Sequence, residues 1–524
     1  MVAKVVSMFA DRRLRRFDQA TADPAATQLA VLRDLLRQGA LTQWGRPLGL
    51  AEVVTPRQFR QRVPVTDYAA AAPLWHRAFD GARDVTWPGH VRFFAMSSGT
   101  TGAAGSPGGS QPGNKMIPVT PEAIRTNLRA GALLAAFLAR RGCPENLLAG
   151  KVLYLGGCTS LRQQGKSLVG DASGIVGRHI PFYLRSRRLP GKDIAAIADW
   201  EQKIDRIVQR YLTADVRIMG ACPSWAALLF KQMIQQAESR GLGSTKKSVG
   251  QLWPKLSHFI SYGMAFEPYR PAFDEYIGRP IHYVDTYSSS EAGMTGIQEE
   301  PGGPFRMIVD NGVFFEFVPA DRANEDSPPR LSIGEVEVGC DYAVLISTNG
   351  GIWAYPLGDV IRFESLRPPR IVFAGRTQVM LSAFGEHVTL EMIEKAMAAA
   401  CRKTSAIVAD YTIAPRFPSP SSPRPAHRWI VEFDRLPVPP ADAGVFMAAI
   451  DASIRSANED YDTHRANDFG LAPPILIPVA PRTFYTWMKQ KGKLGGQNKV
   501  PRVVGSRSPE MADELLAISR ALGF

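Results

Sequence analysis

Two hydroxyls, a glycine and two more hydroxyls follow directly on the apolar run "FFAM": Ser97, Ser98, Gly99, Thr100, Thr101, then Gly102. Residues of this kind suit the grip of an anion. Glycines let the backbone approach a ligand closely, and successive amide N–H groups form a concavity for phosphate oxygens. Lys115, beyond a Gly/Pro/Ser-rich run over 103–113, could add a point charge. A flexible linker is the other reading, and it suits 103–113 better than 97–102. Gly108 and Gly113 have the separation of a P-loop, but Asn114 and Lys115 follow where that loop requires Lys-Ser/Thr, so the spacing is an accident of composition.

Four further features carry possible chemistry. "TYSSSEAGMTG" (286–296) follows a strand-like run, where α/β folds place ligands. Its Glu291 suits Mg²⁺, which takes hard oxygen ligands and often bridges a carboxylate to nucleotide phosphates; the competing reading is a helix start capped by Ser289 or Ser290. In "YPLGDVIRF" (355–363) Asp359 could accept from a ribose diol or serve as a structural turn residue. Arg376 in "FAGRTQ" and Lys499 in "GQNKVPR" complete the set, and the lysine, taken alone, reads as a solvated charge.

These residues need elements to hold them. Leu29, Leu32, Leu35 and Leu36 share a helical face over 27–42. From about 150 strands alternate with helices: 151–157, 214–221, then Pro223 opening a helix over 224–239, and strands at 256–264 and 279–289. A β-rich stretch follows over 312–320, 334–348 and 351–365, read as an antiparallel sheet or small barrel, with a polar loop at 319–330. Beyond 374 come a strand, a turn, a strand and a helix whose Met392, Ile393, Ala396 and Met397 share a face. Residues 414–428 read as an exposed Pro/Ser-rich loop, 441–460 as a helix and 475–479 as a strand. The expected fold class is α/β (α+β): a large N-terminal domain, 1–373, with mixed sheets and a β-barrel-like part, and a smaller mobile C-terminal α/β domain, 374–524.

The 524 residues are 45% hydrophobic and 21% charged, as in a globular protein. The net charge of +13 raises the question of nucleic acid, but basic residues are interleaved with acids and no nucleic-acid module is spelled out. A non-catalytic, nucleic-acid-associated protein is the contrasting reading. Cys143, Cys158, Cys222, Cys340 and Cys401 are scattered and form no C-x-x-C pair, which fits a reducing compartment. No secretory signal and no run of about 20 apolar residues is found, so a cytoplasmic protein without a membrane partner is expected.

Taken in order, these features resemble the adenylate-forming enzyme superfamily, and within it the auxin-responsive acyl-acid amido synthetases of the Gretchen Hagen 3 family. Ser97 to Thr101 with Lys115–Pro118, then Tyr287, Ser289, Ser290 and Glu291, then Tyr355, Gly358 and Asp359, and finally Gly496, Gln497, Lys499, Pro501 and Arg502 carry the likeness. "QWGRPLGL" (43–50) and "FRQRVPVTDYAAAAP" (59–73) extend it over nearly the whole chain. The resemblance implies an ATP- and Mg²⁺-dependent ligase that adenylates a small-molecule carboxylic acid and passes the acyl group to an amine, usually an amino acid. A thiol acceptor, coenzyme A or a carrier, is the alternative. It further implies that 97–101, Lys115, Tyr287, Ser289 and Ser290 hold the nucleotide, Glu291 the metal and Asp359 the ribose. Arg376 would mark a hinge and Lys499 would meet the adenylate phosphate. Two departures stand out: the insertion before Lys115, and His387 where related sequences usually carry lysine. For the acyl pocket Trp225, Phe230 and Tyr262 are candidates, with core packing as the competing role.

Overall fold

The computed structural model describes residues 2–97, 115–141, 149–242, 248–323, 325, 327–377, 386, 388–417, 424–437, 442–466, 471–495, 498–504 and 510–524. The chain divides into two compact units that are not contiguous stretches. One comprises Met1–Ala221, Trp253–Gly263 and Ile281–Val372. The other comprises Cys222–Leu252, Met264–Pro280 and Phe373–Phe524.

The first unit is organised by an eleven-stranded sheet. Its strands run, from one edge, Val313–Pro319, Asp341–Thr348, Ile352–Leu366, Pro369–Arg376, Phe305–Met307, Gly293–Gln298, His282–Ser289, His258–Tyr262, Val216–Ala221, Lys151–Tyr154 and Arg188–Leu189. From His282–Ser289 to Arg188–Leu189 neighbouring strands are parallel. The β-rich region forms the antiparallel part of the same sheet. Phe315, Phe317, Tyr342 and Phe363 fill the core beneath it. Each such side chain contributes roughly 1.5–3 kcal/mol on burial.

The helix Pro24–Gly39 begins with proline behind an Asp23 cap, whose carboxylate accepts from Ala26 N at 3.1 Å. It buries Val31, Leu32, Leu35 and Leu36, while Leu29 is only partly covered. Its buried Gln28 donates to Val309 O (2.6 Å) and Val313 O (2.9 Å) and accepts from Phe315 N (2.8 Å), so a side chain satisfies backbone groups of the edge strand. A second, four-stranded sheet runs Lys115–Val119, Phe93–Ser97, Ser167–Gly170, Arg162–Gln164.

In the second unit helices Leu390–Thr404 and Asp442–Ala457 pack on a three-stranded sheet of Ile407–Arg416, Ala426–Arg435 and Ile475–Val479. The helices Pro223–Ser239 and Arg270–Ile277 belong to it as well. Phe230 meets Phe273 at 5.3 Å, Lys231 pairs with Asp434, Tyr276 Oη donates to Asp434 at 2.6 Å, and Arg435 meets Glu275 at 2.6 Å.

Four local readings are corrected. The strand expected over 334–348 begins only at Asp341, because Gly339 lies at φ +84° and Glu335 N closes a turn onto Ser332 O. The expected loop 414–428 is strand at both ends, with 418–423 outside the described residues. The expected helix 441–460 is two helices, broken at Asn458, whose side chain caps the second by accepting from Tyr461 N at 2.7 Å. The strand expected to reach Gly157 stops at Tyr154.

The parallel strands also stack a buried histidine on an exposed one. His258 and His282 stack at 5.0 Å, and His258 is 1% exposed. Its Nδ1 meets Ser257 Oγ at 2.8 Å, and its Nε2 has no hydrogen-bond partner among the described residues. Burial, then His282 and Arg141, lower its pKa to about 4. The unfolded imidazole protonates near 6.5 and the folded one only near 4, so below about pH 6.5 the unfolded chain binds the extra proton and stability falls with pH. The loss approaches ~3 kcal/mol at pH 4. His258→Gln is expected to flatten the acid limb of a urea-denaturation series between pH 4 and 7; an unchanged limb would contradict this.

Candidate functional site

The strands Phe93–Ser97 and Lys115–Val119 form an antiparallel pair in which Ser97 faces Lys115. Ser98, Gly99, Thr100, Thr101 and the insertion 103–113 lie outside the described residues.

Lys115 is buried. Its Nζ donates to Tyr355 Oη at 3.1 Å and lies 5.4 Å from the Tyr68 ring centroid and 5.7 Å from that of Tyr355. Tyr68 opens the helix Tyr68–Phe79, capped by Asp67, and its Oη accepts from Met116 N at 3.0 Å. Burial, then the Glu291 carboxylate, then Tyr68 and Asp67, push the Tyr355 hydroxyl above its ordinary pKa. It stays a neutral phenol through the physiological range.

Glu291 sits on the turn joining strands His282–Ser289 and Gly293–Gln298. The expected alternative, a capped helix, is corrected: Ser289 Oγ accepts from Ala292 N at 3.1 Å and so caps a hairpin turn, with Ser290 in the turn itself. Gly293 closes it at φ +71°, and a Cβ there would stand 2.3 Å from Asn127 Oδ1.

The second segment, "YPLGD", is a bulge. Ala343 faces Val360 while Leu345 faces Pro356, so one residue opposes three, and Gly358 takes φ +79°. Asp359 is 6% exposed, and Tyr287 Oη donates to its Oδ2 at 2.9 Å. Residues 287–291 and 355–359 are thus joined through Tyr287 and Asp359, and the Glu291 charge is felt at the Tyr355 hydroxyl. A buried carboxylate that accepts from a ribose hydroxyl would contribute about 1.5–3 kcal/mol. Asp359→Asn is therefore expected to raise KM for ATP about 10- to 100-fold in an adenylation assay; an unaltered KM would exclude the ribose role.

In the second unit Arg376 ends the strand Pro369–Arg376. His387 lies outside the described residues; its neighbour Glu386 is fully buried and meets His427 Nε2 at 2.6 Å. Lys499 is exposed on a segment pinned beside the strand Ile407–Arg416, where Ile413 N donates to Arg502 O (2.9 Å) and Val504 N to Ile413 O (2.8 Å). Arg502 itself is buried. It pairs with Asp410, donates to Tyr411 O (2.7 Å) and Tyr269 Oη (2.6 Å), and stacks 4.2 Å over the Tyr411 ring.

The proposed pocket aromatics separate. Phe230 is fully buried between Phe273 and Tyr276, a core residue of the second unit. Trp225 is buried in that unit, its Nε1 donating to Asn498 O at 3.4 Å. Tyr262, in the first unit, stacks on Tyr154 and donates to Leu155 O at 2.8 Å. Sequence reasoning missed Tyr68 and left Tyr355 out of the site. The signal for Tyr68 was the Asp67 cap in front of it.

Three sequence profiles match in chain order: the GH3 family N-terminal domain over residues 13–190, the GH3 family central domain over 306–376 and the GH3 family C-terminal domain over 391–508. The chain belongs to the GH3 family. Among GH3 relatives, indole-3-acetic acid-amido synthetase GH3.8 of Oryza sativa subsp. indica is 25% identical over 570 aligned residues, covering 94% of this chain and 90% of that protein. The GH3.15 acyl acid amido synthetase structure superposes with a TM-score of 0.74 at 19% identity, covering 97% of this chain and 95% of that one. A 2-hydroxyisobutyryl-CoA ligase, crystallised in the postadenylation state with 2-HIB-AMP, gives 0.57 at 14% identity over 94% and 91%. At these identities the superpositions establish the fold, a mixed α/β architecture that this GH3 chain shares with both. Among the described residues no helix is long and apolar enough to cross a membrane.

Proposed function

We propose that this GH3 protein is an ATP-dependent ligase that adenylates a small-molecule carboxylic acid and transfers the acyl group to an amine, an amino acid, to form an amide. The observation that carries the reading is the pair of hydrogen bonds Tyr287–Asp359 and Lys115–Tyr355, with the Glu291 charge felt at Tyr355, which gathers a cation, carboxylates and phenols on these segments. The amido synthetases among its relatives favour an amine as acceptor.

A carboxylate is a poor electrophile. Attack of its oxygen on the α-phosphorus of ATP expels pyrophosphate and leaves a mixed anhydride, and negative charge builds on the phosphate oxygens as it forms. In this reading the amides of Ser97, Ser98, Gly99, Thr100 and Thr101, with Lys115, hold the phosphates, and Lys499 meets the adenylate phosphate. Tyr287, Ser289 and Ser290 line the nucleotide, and Asp359 accepts from the ribose. The donors suit a magnesium ion that arrives with ATP. Glu291 is one hard carboxylate, and among the described residues no group of three or more His, Cys, Asp or Glu could hold a metal unaided. Held at Glu291, the ion would neutralise phosphate charge. Residues 374–524, hinged at Arg376, would turn between the two half-reactions.

Acid-dependent ATP–pyrophosphate exchange tests the first half-reaction. Exchange is expected with some member of a panel of aryl and alkyl acids and not without acid. Absence of exchange with every acid, alongside tight binding of nucleic acid at physiological salt, would overturn the reading.

A further inference from the structure

Three large apolar side chains stand exposed in a row in the first unit: Phe182 is 79% exposed, Tyr183 65% and Leu184 39%. Nowhere else among the described residues are three consecutive large apolar side chains exposed. Single exposed apolar residues are ordinary, whereas a contiguous patch marks an interaction site. We propose that this turn and the basic residues around it form a docking surface for an anionic lipid membrane, against which the protein lies without crossing it.

The turn is tied down on both sides. It leads into Arg188–Leu189, the edge strand of the eleven-stranded sheet, which pairs in parallel with Lys151–Tyr154. Leu184 N donates to Pro181 O (3.0 Å) and Arg187 N to Leu184 O (3.1 Å). Arg185 Nε donates to Ile180 O at 3.1 Å, and Lys151 Nζ donates to Ser186 O at 2.8 Å. Upstream, the His179 ring meets Phe93 edge-on at 5.1 Å. Yet the one-turn helix Phe182–Arg185 buries none of its residues, and the rings of Phe182 and Tyr183 rest on each other at 5.7 Å. A tip ordered in advance loses little freedom when it binds.

Charge selects the occupant. From Ala172 to Lys192 the sequence carries Arg178, Arg185, Arg187, Arg188 and Lys192 and no Asp or Glu. Arg178, Arg185 and Lys192 are exposed. The acids at the margins are engaged elsewhere: Asp171 accepts from Cys158 N at 3.1 Å, Asp193 pairs with Arg210, and Asp215 pairs with Arg217 at 2.9 Å. The patch is therefore apolar at its tip and cationic around it. A symmetric dimer through this patch would set arginine against arginine, which disfavours a second copy of the chain. A lipid interface suits it better. Aromatic rings settle at headgroup level, basic side chains meet the lipid phosphates, and a deformable surface can take in side chains this prominent.

Vesicle flotation of the full-length protein tests this, independently of the ligase reading. The protein is expected to bind vesicles of equal parts phosphatidylcholine and phosphatidylglycerol and to bind phosphatidylcholine alone much more weakly. Binding should weaken at about 1 M salt, where the Debye length falls to about 3 Å. Phe182→Ser combined with Tyr183→Ser should weaken binding about 10-fold or more, and Arg178→Gln combined with Arg185→Gln should also weaken it about 10-fold or more. All four side chains are exposed, so thermal unfolding should stay as in wild type. No binding to the anionic vesicles, or binding undiminished in both variants, would overturn the proposal. A concentration-dependent dimer that Phe182→Ser with Tyr183→Ser abolishes, or capture by polyglutamate in place of vesicles, would also overturn it, assigning the surface to a second copy or to an acidic protein.

Discussion

Lys499→Ala is expected to slow acyl-adenylate formation by about 100- to 1,000-fold, the range seen when one preorganised donor is removed from a developing oxyanion. The lysine is exposed, so truncating it removes little packing. Its segment is fixed from the other side, through Arg502 and the backbone bonds to Ile413. The chain should therefore fold as before, and ATP binding should change much less than the rate. Single-turnover pyrophosphate release reads the effect. A wild-type rate in Lys499→Ala would remove this lysine from the chemistry.

Arg502→Met is expected to destabilise the second unit by about 3–5 kcal/mol, because it leaves the Asp410 carboxylate without its cation in a mostly buried position. Methionine keeps much of the arginine's volume, so the cost is chiefly electrostatic. The lost donor bonds to Tyr411 O and Tyr269 Oη add to it. Pairing it with Asp410→Asn should recover part of the loss, since the stranded charge is then gone. Urea denaturation of the two single variants and the double variant checks both statements. Additive losses would mean that the pair is not coupled. Because Arg502 lies three residues beyond Lys499, milder substitutions such as Arg502→Lys should also lower adenylation through misplacement of Lys499, with the ammonium unable to reproduce the guanidinium's forked contacts.

The candidate site was legible in the sequence where its residues are neighbours. Ser97 and Lys115 announce themselves by a hydroxyl–glycine cluster between two apolar strands, and the pairing of those strands puts them face to face. Glu291 and Asp359 are flagged by the glycines that shape their turns. The helix start at Pro223 was legible from its proline, whereas the helix read over 27–42 runs over Pro24–Gly39 behind the Asp23 cap. What was not legible depends on contacts between residues far apart. Arg502 meets a tyrosine 233 positions earlier, and Gln28 serves carbonyls more than 280 positions later. The inclusion of 222–252 and 264–280 in the second unit follows from side chains such as Lys231 and Tyr276 meeting Asp434, which no local periodicity encodes. "GEVEVG" alternates like a strand, yet a left-handed glycine stops it before Asp341.

The central claim is that ATP is cleaved to AMP and pyrophosphate to drive formation of an amide. Mass spectrometry of reactions containing ATP, Mg²⁺ and a matrix of carboxylic acids and amino acids tests it most directly. The account predicts AMP and an acid–amino acid conjugate in equal amounts for at least one combination, with no conjugate when ATP is left out. AMP with a thioester only when coenzyme A is supplied, or ADP and phosphate in place of AMP, would contradict it.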